Sequence, residues 1–127
     1  KKINFKNSIC LTYRDFFKDD KSIFNKIDKI LNYPNLRNKK IYIFTNNLKK
    51  LLKFTTNLRN RNFEEIIFNY DKHSIFALDL MTNFNTFVIG SSTFHWWGTY
   101  LAKKPKKIYL TNKIHKPIQT KEMKLIF

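Results

Sequence analysis

Short apolar runs alternate with stretches in which apolar residues recur every three or four positions, and the alternation repeats about four times along the chain. Ser8-Ile-Cys-Leu-Thr-Tyr13 is a short apolar run bounded by polar residues, the pattern of a buried strand. From Asp20 onward Ile23, Phe24, Ile27, Ile30 and Leu31 form one helix face, with Asp19 or Asp20 available as N-cap and Pro34 closing the segment. Lys40-Ile-Tyr-Ile-Phe-Thr45 is the second strand, and Asn46 or Asn47 is placed to cap a helix carrying Leu48, Leu51 and Leu52. Glu64-Glu-Ile-Ile-Phe68 reads as a third strand. A third helix over about Ser74 to Asn83 follows, with Ile75, Leu78 and either Leu80 or Met81 on its apolar face.

Thr86-Phe-Val-Ile89 is a fourth strand ended by Gly90. A fourth helix begins almost at once. Phe94, Trp97 and Leu101 form its core face, and Trp96 with Tyr100 is turned towards a cleft or a neighbouring domain. Lys107-Ile-Tyr-Leu110 is the fifth strand, and Met123 to Phe127 closes the chain as a last strand or helix. Strand–helix alternation of this kind predicts an α/β fold: a Rossmann-like, mainly parallel sheet with helices on both faces and right-handed crossovers. With no internal repeat, linker or break in composition, residues 1–127 read as a single domain.

Composition narrows the class. Thirteen Phe and six Tyr supply core material that a disordered chain lacks. The net charge of +16 favours polyanions or phosphate-bearing ligands. Twenty-one of the 25 cations are Lys, scattered along the sequence beside fifteen Asn, which reads mainly as a bias towards A/T-rich codons. No RNP, zinc-finger or helix-turn-helix signature accompanies the charge, so nucleic acid is not the expected partner. Cys10 is the only cysteine, which excludes an intrachain disulfide and a thiolate cluster. His73, His95 and His115 are too far apart for a local metal motif.

Two segments carry candidate chemistry, because open parallel sheets bind ligands beyond the carboxyl ends of their strands. At the first, Arg14 leaves the first strand beside Asp15, where a guanidinium grips a phosphate through two parallel hydrogen bonds, or pairs with Asp15 or Asp19 as a surface group. At the second, Gly90-Ser91-Ser92-Thr93 joins the fourth strand to the fourth helix. Gly allows close backbone approach, and three hydroxyls and the helix N-terminus offer donors to a diphosphate. The same residues also suit an ordinary capped turn. His95, beside this cradle, is a hydrogen-bonding or proton-transfer candidate as well as a helix-start surface residue.

Val88-Ile-Gly-Ser-Ser-Thr-Phe-His-Trp-Trp-Gly-Thr-Tyr-Leu101 resembles the signature of glycosyltransferase family 11, the α-1,2-fucosyltransferases, approximately I-I-A-N-S-[ST]-F-S-W-W-G-A-W-L. Ser92, Thr93, Phe94, Trp96, Trp97, Gly98 and Leu101 fall on it without a gap. Leu80-Met-Thr82 resembles the family's L-M-S, and Lys107-Ile-Tyr-Leu110 its K-I-V-I strand. Lys40-Ile-Tyr-Ile-Phe-Thr-Asn-Asn47 resembles a strand ending in F-S-D-D, and Thr12-Tyr-Arg-Asp15 falls where H-x-R-R-G-D belongs. The similarity spans roughly residues 8 to 111.

It implies the C-terminal, GDP-fucose-binding half of a GT-B-like enzyme, present as a piece without the N-terminal acceptor-side half. Arg14 would act as the catalytic contact to the GDP diphosphate, and Ser91, Ser92, Thr93, Phe94 and His95 would line the donor site. The implied reaction is inverting transfer of L-fucose from GDP-fucose to a hydroxyl of an acceptor glycan, with no cofactor and no required metal. The setting is the cytoplasm or a membrane surface for a bacterial or viral source, and the Golgi lumen for a eukaryotic one. The chain departs from the pattern at several points. Thr12 replaces His, the second Arg, Gly and Asp of the first motif lack equivalents, and Asn46 and Asn47 replace paired acids. Ala77 stands at a usual Asp position with Asp79 two residues on, and His95 replaces Ser. These losses also fit a binding remnant of such an enzyme.

Overall fold

A computed structural model of the chain describes residues 2–15, 21–66, 74–90, 98–102, 106–111 and 123–125. Six strands form one sheet: β1 (Ser8–Tyr13), β2 (Lys40–Thr45), β3 (Phe63–Glu65), β4 (Thr86–Ile89), β5 (Lys107–Leu110) and β6 (Met123–Leu125). Every neighbouring pair is parallel and the strand order is β3-β2-β1-β4-β5-β6. This is the Rossmann-like α/β order, in which the chain moves outward to one edge, returns to the centre and fills the other side. The tail adds the sixth strand.

The helices are α1 (Lys21–Leu31), α2 (Leu48–Phe54) and α3 (Ser74–Met81), with a further helical turn at 98–101. Alternation along the strands divides the interior into two cores. Ile9, Leu11, Ile41, Ile43 and Val88 point to one face, where Phe24, Ile27 and Ile30 of α1 and Leu51 of α2 cover them. Cys10, Phe44, Phe87, Ile89, Ile108 and Leu110 point to the other, under Ala77 and Met81 of α3, Phe84 and Ala102. Because both faces are covered, β1 and β4 are buried at every position, as the unbroken apolar runs require.

Polar side chains fix the connections. Asn47 caps α2 by accepting from Lys50 N at 3.0 Å. Asp28 of α1 accepts from Thr56 N, Thr56 Oγ1 and Asn57 N, joining α1 to the segment that leaves α2. Arg61 donates to the carbonyls of Leu31 and Leu36, each at 2.7 Å, and of Lys39 at 3.2 Å. Its planar fork thus holds the end of α1 and the turn leading to β2, and desolvation lowers its pKa. Lys106 donates to the carbonyls of Thr99 and Tyr100, closing the helical turn at 98–101.

Four readings change. The third strand is Phe63–Glu65, one residue earlier than Glu64 and ending before Ile66, while Ile67 and Phe68 lie outside the described residues; it is an edge strand of half-buried residues, so no apolar run marks it. The third helix ends at Met81, two residues short of Asn83, and turns Ala77 and Met81 to the sheet while Leu78 stays half-buried. Leu101 is not core but 51% exposed, beside Tyr100 at 50%. The reason is Gly98: a Cβ there would lie 2.7 Å from Met81 Cε, so the turn presses its small residues, Gly98 and Ala102, against the interior and turns Leu101 outward. Finally, lysine is not evenly scattered over the helices. α1 and α2 carry six, whereas α3 and the turn at 98–101 carry no Lys or Arg.

Candidate functional site

The strand order reverses between β1 and β4, and a parallel sheet opens its ligand crevice at the carboxyl ends of such a pair. Cys10 aligns with Phe87 and Leu11 with Val88. Continued upward, this register sets Tyr13 opposite Gly90, with Arg14 one step beyond. The two strand ends are therefore neighbours, on the order of 5 Å apart laterally. Arg14 and Gly90 are the first residues past β1 and β4, the same two segments singled out from residue type. Arg14 is half-buried and its Nε atom is buried.

Asp15 does not serve the crevice directly. Its carboxylate accepts from Lys50 Nζ at 2.9 Å through Oδ1 and from Asn47 Nδ2 at 3.0 Å through Oδ2. Its backbone N–H donates to Asn46 Oδ1 at 2.8 Å, while Asn46 Nδ2 donates back to its carbonyl at 3.2 Å. The hydrogen bonds from Lys50 and Asn47 hold the Asp15 carboxyl below its ordinary range. This clasp ties the end of β1 to the end of β2 and fixes the backbone from which Arg14 departs. Both Asn side chains are used structurally, one as a clasp and the other as clasp and helix cap.

Thr12 lies one turn of the pleat below Arg14, 1% exposed, and its Oγ1 is buried without a hydrogen-bond partner. Ala77, at the position where the resembled family carries Asp, is buried against the sheet. Asp79, two residues on, lies on the exposed side of α3. Among the described residues no group of three His, Cys, Asp or Glu side chains could hold a metal ion, and no helix is long and apolar enough to cross a membrane. Burial pushes the Cys10 thiol well up, which makes it a core group rather than a nucleophile.

Of the candidates from sequence, Arg14 and Gly90 come together at the switch point. Ser91, Ser92, Thr93, Phe94 and His95 lie outside the described residues, as do Trp96 and Trp97. The clasp was not legible in advance. Its one local signal was Asn47 as a cap, whereas its pairing with Asp15 joins positions 32 residues apart. Comparisons with protein-family models, with curated proteins and with solved structures gave no match.

Proposed function

We propose that this chain is the donor-binding domain of a fucosyltransferase-like glycosyltransferase, taking GDP-fucose at the carboxyl ends of β1 and β4. The observation that carries the reading is the placement of the two resembling segments in the sheet. The segments resembling the family's donor motifs, 12–15 and 88–101, begin on the two strands that flank the reversal of strand order.

The chemistry asked of the site is recognition of a diphosphate and stabilisation of its charge as it leaves. Arg14 would supply a fixed positive charge, and the Gly90–Thr93 segment would supply N–H and hydroxyl donors. The products would be GDP and a fucosylated glycan, formed with inversion. A titration of GDP, GDP-fucose and NAD into the chain tests the reading. GDP and GDP-fucose are expected to bind with similar affinity and NAD not to compete. Tighter binding of NAD would reassign the crevice.

The fate of the acids favours a second reading, in which the domain binds the donor without transferring fucose. Asn46 and Asn47 are committed to the clasp, and Ala77 is core, so none of these three positions, which carry acids in the resembled family, supplies a general base. GDP-fucose turnover in the presence of acceptor glycans separates the two: binding without release of GDP above the hydrolytic background selects the second.

A further inference from the structure

Among the described residues, lysine is concentrated on the outward side of α1 and α2, which points to a docking face. α1 and α2 lie side by side on one face of the sheet, joined by stacking of Phe24 on Phe54 at 5.2 Å and by the bonds of Asp28 to Thr56 and Asn57. Their inward residues are apolar. Lys21, Lys29, Lys49 and Lys53 are exposed, with Lys26 half-exposed. The only acid on either helix, Asp28, is occupied by three donors from the adjoining segment. On the opposite face, α3 and the turn at 98–101 bring no cation, and their exposed large side chains are Phe76, Tyr100 and Leu101.

We propose that the α1–α2 face adsorbs to an anionic membrane surface. The charge is spread over a two-helix layer as single ammonium groups, which suits a diffuse negative surface better than a defined phosphate geometry. These helices carry no Arg for bidentate recognition, and no exposed large aromatic stands on them to stack a base, which disfavours nucleic acid. Adsorption of this kind is electrostatic, requires no insertion and is screened by salt. The inference stands on charge placement and is independent of what the crevice binds.

The test is sedimentation of the full chain with vesicles of phosphatidylcholine alone and of phosphatidylcholine with 30% phosphatidylserine. K21Q/K49Q/K53Q is compared with K2Q/K6Q/K107Q, which removes equal charge away from the α1–α2 face; Gln retains helix propensity. The expected result is binding only to the anionic vesicles, weakened on the order of a hundredfold by the helix-face variant. The control variant should change it by no more than a few-fold. Equal losses in the two variants would reduce the effect to net charge and overturn the proposal. So would equal binding to neutral vesicles, or tighter face-dependent binding to polyuridylate. Circular dichroism on both variants ensures that a loss of binding is not a loss of fold.

Discussion

Replacing Gly98 by Ala should lose its cost when Met81 is also cut back. The added Cβ would sit 2.7 Å from Met81 Cε and 3.1 Å from Met81 Cβ. The far end of Met81 can swing, but its Cβ is fixed to α3 and the residue is fully buried. Overpacking of this order costs about 1–3 kcal/mol, while Ala gains up to about 1 kcal/mol over Gly in a helix. The single variant should therefore lose about 1 kcal/mol. Met81→Ala alone should cost about 2–5 kcal/mol through the cavity it leaves. In that background the contacts with Met81 Cε and Sδ are gone, but the Cβ at position 81 stays about 3.1 Å from the new methyl and offsets the helical gain, so G98A should be close to neutral. The coupling between the sites is then about 1 kcal/mol, outside the roughly 0.5 kcal/mol scatter of independent sites. Urea unfolding of the four proteins by circular dichroism measures it. Stabilisation by G98A in both backgrounds, with additive effects, would refute the close approach of the 98–101 turn to α3.

Acid should weaken the fold partly through Asp15. Because its folded pKa is lowered, its contribution is fully present above about pH 5 and is lost as pH falls through the lowered value. For a partly exposed pair this amounts to about 1 kcal/mol or less, so D15N should show a smaller drop in urea midpoint from pH 6 to pH 2.5; an unchanged drop would count against the clasp. Arg61→Ala should cost about 2–4 kcal/mol, because three carbonyls lose one charged partner, and Arg61→Lys should recover less than half, since an ammonium lacks the fork. Thermal melts that place R61K level with the parent would contradict that geometry. Thr12→Val should raise stability by about 1 kcal/mol, because it removes a buried hydroxyl without a partner; a clear loss would mean that the hydroxyl is bonded.

The sequence exposes the centre of this fold better than its margins. β1, β2 and β4 are buried runs at almost every position, so their apolar patterns alone place them within a residue. β3 escapes because an edge strand with half-buried Phe63, Glu64 and Glu65 carries no contrast for a pattern to detect. Leu101 misleads for a different reason. Periodicity assigns the largest residues inward, but the turn at 98–101 packs by its smallest, and only the contact between Gly98 and Met81 reveals which side faces in. At the site, Arg14 and Gly90 were visible as residues leaving strands, since the switch point follows from strand order. The Asp15–Asn46–Asn47–Lys50 clasp was not, because its members meet only when β1 and β2 align. Sidedness of charge likewise required knowing which helices share a layer.

The central claim is that the crevice between the ends of β1 and β4 holds the diphosphate of a guanine nucleotide through Arg14. Isothermal titration of GDP into the full chain and into Arg14→Ala, both with EDTA present, measures it directly. The account predicts one site per chain in the parent and a loss of roughly tenfold to a hundredfold in the variant, the equivalent of about 1.5–3 kcal/mol for a charge-assisted contact. Failure of the folded parent to bind GDP, or equal affinity in the two proteins, would contradict it.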